Sequence, residues 1–170
     1  MRISAHFRLL QSKQKGFTLI ELLVAITIVA ILAVSVFVAL NPAQRLKDAK
    51  DARRASDLDS ILSAIHQSIV DNKGTYPSNM PAAGTEVQLG TDAAGCTISN
   101  SDCTITAAAC TDLMTGSQNV SKYLKTMPFD PDTTLGSDAK TGYSVQGDSN
   151  GIVTVKACYT DGTTTISVSR

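Results

Sequence analysis

The hydrophobic pattern of the chain is dominated by one long apolar segment, residues 17–40. From Leu22 to Leu40 the sequence has no charged residue, and a helix of that length spans roughly 28 Å, about the thickness of a hydrocarbon core. A helix that is apolar on every side must be buried in lipid or among other apolar helices. The pattern therefore predicts a membrane-spanning helix.

The sequence before this segment is basic and has no acidic residue. It contains Arg2, Arg8, Lys13 and Lys15. This bias predicts that the leader stays in the cytoplasm and that the C-terminal part lies outside it. Glu21 lies near the start of the apolar segment, where a deeply placed carboxylate costs about 2.5–3.5 kcal/mol. Glu21 therefore needs a partner that the segment itself does not supply.

Residues 43–72 show a helical period with an apolar stripe and a charged face. The stripe consists of Leu58, Ile61, Leu62, Ile65 and Ile69. The charged face carries Lys47, Asp48, Lys50, Asp51, Arg53, Arg54, Asp57 and Asp59. We expect this face to be solvated or to face other subunits, with salt bridges along it. The pair Arg53-Arg54 leaves contact with DNA as an alternative.

Asn41-Pro42 separates the two helical segments, and Lys73-Gly74 follows the second. Proline removes one helical hydrogen bond, so we expect a bend or a locally melted turn and not the end of the helix. The alternative is a true break with a new helix that begins at Pro42. A basic residue followed by glycine predicts that the second helix stops near residue 73.

The C-terminal part has the composition of loops followed by strands. Residues 75–141 are rich in small and polar residues, and one short helix is predicted at about Cys110–Leu124. Alternating or β-branched residues predict strands at Tyr143–Gln146, Ile152–Tyr159 and Thr164–Ser169. The predicted fold class is α+β, a long N-terminal helix packed on a small antiparallel sheet of three or four strands.

All four cysteines lie in the exported part, which favours disulfides over metal ligation. Four cysteines allow three pairings, and the sequence does not choose among them. We predict Cys96–Cys103, which would close a short turn-rich loop, and Cys110–Cys158, which would tie a loop to a late strand. Free thiols or another pairing are the alternatives.

Charge and composition argue against catalysis and against general binding of polyanions. The whole chain has no net charge, but without residues 1–16 it has eleven basic and fifteen acidic residues. The histidines are His6 and His66, and neither has a zinc partner or a nucleophile motif near it. We therefore predict no enzyme activity, no metal, no cofactor and no nucleic acid partner.

The segment Gly16-Phe17-Thr18-Leu19-Ile20-Glu21, between basic residues and the apolar run, resembles the class III signal of type IV pilins and type II secretion pseudopilins. The resemblance implies cleavage between Gly16 and Phe17 by a prepilin peptidase, followed by N-methylation of Phe17. It also implies that the new amine of Phe17, in the same or a neighbouring subunit, pairs with Glu21 during filament assembly. The alternative is an uncleaved signal anchor with Glu21 at the headgroup level.

Two further patterns resemble those of major pseudopilins and many small pilins. They are Gly74-Thr75-Tyr76-Pro77 and the stretch from Leu124 to Pro131, although Met127 stands where leucine is common and no tryptophan follows Pro131. Major pseudopilins carry calcium in this part of the chain. Asp130, Asp132 and Asp138 could supply oxygen ligands, but solvated loop acids are the expected alternative. Asn119-Val120-Ser121 matches a glycosylation acceptor and is treated as unmodified.

The resemblance implies four parts: a cleaved leader at 1–16, a transmembrane or filament-core helix at 17–42, an amphipathic helix at 43–72, and a head at 73–170. It implies a structural subunit of a type IV pilus-like filament. The alternatives are a major pseudopilin, or a minor pilin for adhesion or DNA uptake. The implied partners are copies of itself, the peptidase, membrane lipid, and an inner-membrane platform with its ATPase. The implied location is the inner membrane and then a surface filament.

Overall fold

A computed structural model describes residues 16–170 of the chain. The predictions for the leader at residues 1–15 lie outside this described part. The chain divides into two compact units, one that ends at Pro42 and one that covers Ala43–Arg170. Each unit is described by itself.

Within residues 16–42, the described part of the first unit, there is one apolar helix, α1, at Leu19–Leu40. Its 22 residues correspond to about 33 Å of helix, enough to cross a hydrocarbon core. None of its residues is buried within the subunit. The hydroxyl groups of Thr27 and Ser35 donate to the carbonyl oxygens of Val24 and Leu32 at 2.8 Å, so both polar groups are satisfied within the helix. By length and hydropathy α1 fits the predicted membrane-spanning helix.

The junction at residue 41 follows the second of the two alternatives. Asn41 has a left-handed backbone (φ 41°, ψ 70°) and ends α1, and the helix α2 begins at Pro42. Pro42 therefore lies in the first turn of a helix, where its missing N–H is not needed. Helix α2 extends over Pro42–Asp71. It ends as predicted near Lys73-Gly74, where the amide of Gly74 donates to the carbonyl oxygen of Ile69 at 2.8 Å.

The second unit contains six strands in two antiparallel sheets. The strands are β1 (Val87–Gln88), β2 (Ile98–Ser99), β3 (Thr104–Ile105), β4 (Tyr143–Gly147), β5 (Val153–Ala157) and β6 (Ser167–Ser169). The larger sheet has the order β1-β4-β5-β6, and β2 and β3 form a hairpin. In its centre Val145 pairs with Val155, which pairs with Val168. The predicted α+β class and the three C-terminal strands are confirmed.

The core lies between α2 and the larger sheet. The stripe predicted on α2 is confirmed, since Leu58, Ile61, Leu62 and Ile65 are buried and Ile69 packs against them. On strands β4 and β5 the buried apolar side chains are Tyr143, Val145, Val153, Val155 and Ala157. Burial of these apolar surfaces is the main force that holds the sheet on the helix.

The short helix predicted at Cys110–Leu124 is wrong. Gly116 (φ 82°) and Gln118 (φ 50°) have left-handed backbones, which end any helix there. Leu113 and Val120 are nevertheless fully buried and bonded to each other through the backbone, at 2.9 Å. The apolar residues of this segment therefore contribute to the core from a series of turns.

The predicted disulfide pairing is also wrong. The structure joins Cys96 to Cys110, with Cα atoms 5.3 Å apart, and Cys103 to Cys158, with Cα atoms 5.0 Å apart. All four cysteines are paired, so the prediction that they form two disulfides is confirmed. The error lies in the choice of partners.

The register of the β2–β3 hairpin is incompatible with the predicted bond between Cys96 and Cys103. Ile98 pairs with Ile105, and Asn100 bonds to Cys103 across the turn. Cys96 lies four residues before Asn100, so a partner at position 103 would be displaced by about 13 Å along the strand. Such a distance excludes a disulfide between Cys96 and Cys103.

Candidate functional site

The residues of the predicted processing site lie at the N-terminus of α1. Gly16, Phe17 and Thr18 precede the helix, and Thr18 has an extended backbone (φ −81°, ψ 151°). Thr18 is the N-cap, and its hydroxyl oxygen accepts from the amide of Glu21 at 3.3 Å. One Glu21 carboxylate oxygen accepts from the Thr18 amide at 2.9 Å and from its hydroxyl at 2.8 Å. This reciprocal arrangement is a capping box.

The capping box explains how the sequence positions Glu21. Glu21 follows Thr18 by three positions, the spacing at which a helix brings an acid back onto its own N-cap. Glu21 is thereby held within one turn of Phe17, whose side chain is 85% exposed. The structure thus brings Gly16, Phe17 and Glu21 together at the start of one helix. In the uncleaved chain the nitrogen of Phe17 is part of a peptide bond, so its pairing with Glu21 remains a prediction.

The surface of α1 beyond this site is a continuous apolar face. Its large apolar residues are exposed to between 47% (Val24) and 82% (Leu19) of their full accessible surface. An exposed apolar surface of this size marks contact with a membrane or with other proteins. The helix therefore requires lipid or other apolar helices around it.

In the second unit, a buried arginine connects α2 to two distant loops. Arg54 is 1% exposed and makes a two-pronged ion pair with Asp130, through Nε at 2.8 Å and Nη2 at 2.9 Å. Its Nη1 donates to Asp51 and to Asp161, each at 2.7 Å. Three carboxylates thus surround one guanidinium. This arrangement, the Arg54 cluster, fixes residues 130 and 161 on the helix.

The carboxylates of the Arg54 cluster are themselves held by backbone amides. Asp51 accepts from the amides of Asp161 at 3.0 Å and Gly162 at 2.9 Å. Burial acts to raise the pKa of Asp51, but these amides and the Arg54 guanidinium outweigh it and hold the pKa below its usual value. The pKa of Arg54 is raised by its hydrogen bonds to Asp130, Asp161 and Asp51. The Asp51 carboxylate and the Arg54 guanidinium therefore both stay charged at neutral pH.

A second ion pair lies next to the cluster. Lys50 Nζ lies 3.0 Å from an oxygen of Asp132, and both side chains are partly exposed. Hydrogen bonds from the Thr134 hydroxyl and from Lys50 lower the pKa of Asp132. The hydrogen bond to Asp132 in turn raises the pKa of Lys50.

Sequence analysis missed the Arg54 cluster. It placed Arg54 on the solvated face with Arg53, and only Arg53 is exposed, at 61% of its side chain. The missed signal is spacing, since Arg54 lies four residues before Leu58 and continues the apolar stripe by one turn. With Arg54 engaged inside the subunit, the pair Arg53-Arg54 does not form a basic surface for DNA.

Of the three acids considered as calcium ligands, two form ion pairs with basic residues and the third lines another part of the surface. Asp130 is fully buried against Arg54, and Asp132 is paired with Lys50. Asp138 lines a different cleft, of about 270 Å³, with Lys125. Within residues 16–170 no three acidic, histidine or cysteine side chains are grouped as metal ligands. His66, on α2, lies 3.1 Å from the carbonyl oxygen of Arg170.

Comparison with known proteins identifies the class of the N-terminal site. Residues 11–37 match the prokaryotic N-terminal methylation motif. This motif is the class III signal of type IV pilins and pseudopilins. The N-terminal part of the chain is accordingly similar to that of type IV pilins and pseudopilins, and the motif is one that structural proteins of this type carry. No curated protein and no solved structure matches the chain significantly.

Proposed function

We propose that this protein is a structural subunit of a type IV pilus-like filament. The observation that supports this most directly is the continuity of the methylation motif at residues 11–37 with an apolar helix that is exposed along its whole length. In this proposal a prepilin peptidase cleaves between Gly16 and Phe17, and Phe17 is then N-methylated. The processed helix leaves the membrane and enters the filament core.

Assembly exchanges lipid for neighbouring apolar helices around α1. Transfer from lipid to protein gains little hydrophobic free energy, so packing and polar contacts must direct it. Cleavage converts the Phe17 nitrogen into an amine that is largely protonated near neutral pH. In a dry core this amine and Glu21 neutralise one another and set the register of docking, which leaves neither charge unpaired.

The partners in this proposal are further copies of the chain, the peptidase, and an inner-membrane platform with its ATPase. The subunit is a single-pass membrane protein before assembly, with the head outside the cytoplasm. Afterwards it belongs to an extracellular filament. Arg54 is buried against Asp130 and Arg53 lies near Asp57, so this arginine pair gives no support to a role in DNA uptake.

The proposal is tested by shearing cells and measuring the intact mass of the chain in the sheared and membrane fractions. A mass that begins at N-methylated Phe17 in sheared fibres is the expected result. A processed chain confined to the envelope would support a type II secretion pseudopilin instead. A full-length chain found only in membranes would contradict the proposal and support a signal anchor.

Two variants of Glu21 separate its charge from its role in the capping box. Glu21→Ala removes both, whereas Glu21→Gln removes the charge and keeps an oxygen that can accept from Thr18. If charge pairing drives assembly, both variants should lower the yield of sheared fibres by about tenfold or more, the equivalent of about 1.4 kcal/mol. Normal assembly of Glu21→Gln alongside failure of Glu21→Ala would show that the cap matters and the charge does not.

A further inference from the structure

The cations of α2 divide into two groups by their partners. Lys50, Arg53 and Arg54 each lie within 4 Å of a carboxylate of the same subunit. Arg45 and Lys47 do not, and their side chains make no ion pair or hydrogen bond within residues 16–170. Both are exposed. These are the cations that follow α1 most closely in the sequence.

We infer that Arg45 and Lys47, with Leu46 between them, bind the headgroups of anionic phospholipids before the subunit leaves the membrane. The inference rests on the proposed function, because it requires that α1 spans the bilayer. Lys47 is the sixth residue of α2, so both cations lie within about 9 Å of helix from Pro42. The headgroup region beyond a hydrocarbon core is about 5–8 Å deep, so long side chains at these positions reach it.

The chemistry of the three side chains fits a membrane surface. Long basic side chains lay their methylene groups along apolar surface and keep their charged ends among phosphates. Leu46 is 63% exposed and apolar, and it has the character of a side chain that enters the boundary between headgroups and acyl chains. A carboxylate on a second copy of the chain is the competing partner, and the measurement described below distinguishes it from lipid.

The test measures lipid selectivity of the full chain reconstituted in phosphatidylcholine vesicles. Trace amounts of spin-labelled phosphatidylglycerol or phosphatidylcholine report which lipid is immobilised at the protein. The wild-type chain should prefer phosphatidylglycerol by about twofold or more at low salt, and the preference should fall at about 1 M salt. The leader adds the same basic charges to every variant, so the comparison between variants isolates α2.

Replacement of both cations, Arg45→Gln with Lys47→Gln, should remove at least half of the preference for phosphatidylglycerol. Arg53→Gln is the matched control, because Arg53 is exposed on the same helix but pairs with Asp57. It should leave the preference unchanged. An unchanged preference in the double variant would overturn the inference, and a loss of fibres with unchanged lipid preference would assign the two cations to a second copy.

This measurement is made on unassembled subunits, so it is independent of filament formation. A subunit that selects phosphatidylglycerol but forms no fibres would contradict the proposed function alone. A subunit that forms fibres without lipid selectivity would contradict this inference alone.

Discussion

Arg54 shows how one buried side chain can depend on several partners at once. A charge moved from water into a protein interior loses several kcal/mol of hydration, and only well-placed opposite charges compensate for that loss. Asp130 supplies two such contacts and is itself fully buried. The stability of the head therefore depends on the completeness of the Arg54 cluster more than on the number of its salt bridges.

We predict that Arg54→Ala destabilises the protein by about 3–5 kcal/mol, because it leaves the buried carboxylate of Asp130 without its partner. Arg53→Ala is the control at the adjacent position, where the ion pair is exposed and 3.8 Å long. It should change the free energy of unfolding by about 1 kcal/mol or less. Urea denaturation of the full chain in detergent measures both. Equal effects of the two variants would show that the Arg54 cluster is not structural.

At the scale of single residues, the sequence pattern points to the N-terminal motif but not to the residues of the Arg54 cluster. Glu21 and Phe17 are recognisable because their spacing and their apolar surroundings lie together in a short motif. Arg54 and Asp130 are separated by 76 positions. No sequence pattern close to either residue predicts that the two side chains are in contact.

At the scale of elements, the periodicity of apolar residues decided which predictions succeeded. The stripe of α2 extends over several turns, and β4 and β5 each have five residues, so their patterns are long enough to be recognised. Strands β1, β2 and β3 have two residues each, and two residues carry no period. The pairing of cysteines around these short strands was therefore beyond prediction.

The pairing of the cysteines is tested with Cys158→Ser. In the structure this variant frees Cys103, whereas the pairing predicted from the sequence would free Cys110. Alkylation under non-reducing conditions followed by peptide mass spectrometry should find the label on Cys103. A label on Cys110 would contradict the observed register of the β2–β3 hairpin.

The two disulfides should also differ in their contribution to stability. They join residues 14 and 55 positions apart in the sequence. From the entropy of loop closure alone, loss of Cys103–Cys158 should cost about 4 kcal/mol and loss of Cys96–Cys110 about 3 kcal/mol. Paired Cys→Ala substitutions, compared by urea denaturation, measure the two costs. The reverse order would show that native packing outweighs loop closure here.

For the molecule as a whole, the carboxylates of the head determine its response to acid. Hydrogen bonds from Thr134 and Lys50 lower the pKa of Asp132, and the amide of Ile152 does the same for Asp148. A lowered pKa in the folded state stabilises the protein at every pH above the unfolded value, near 3.9 for aspartate. That contribution is lost as the pH falls below this value towards the pKa of the folded state.

We therefore predict that the free energy of unfolding is nearly constant from about pH 5 to 8 and falls below about pH 4. Asp132→Asn should make the fall shallower, because the asparagine cannot take up a proton. Thr134→Val should act in the same direction, since it removes the largest contribution to the lowered pKa. Unfolding of the full chain at a series of pH values measures this. A fall as steep in both variants as in the wild type would exclude Asp132 as a source of the acid response.

In the proposed function the C-terminal part of the chain crosses the membrane, and its long-range contacts then determine when it can fold. The Arg54 cluster includes Asp161, and the disulfide Cys103–Cys158 includes a residue close to the C-terminus. The larger sheet is complete only when β6, at Ser167–Ser169, is present. Each of these contacts spans many positions, so it forms only after the intervening chain has been released. The head therefore cannot complete its structure until residues 158–169 have crossed the membrane.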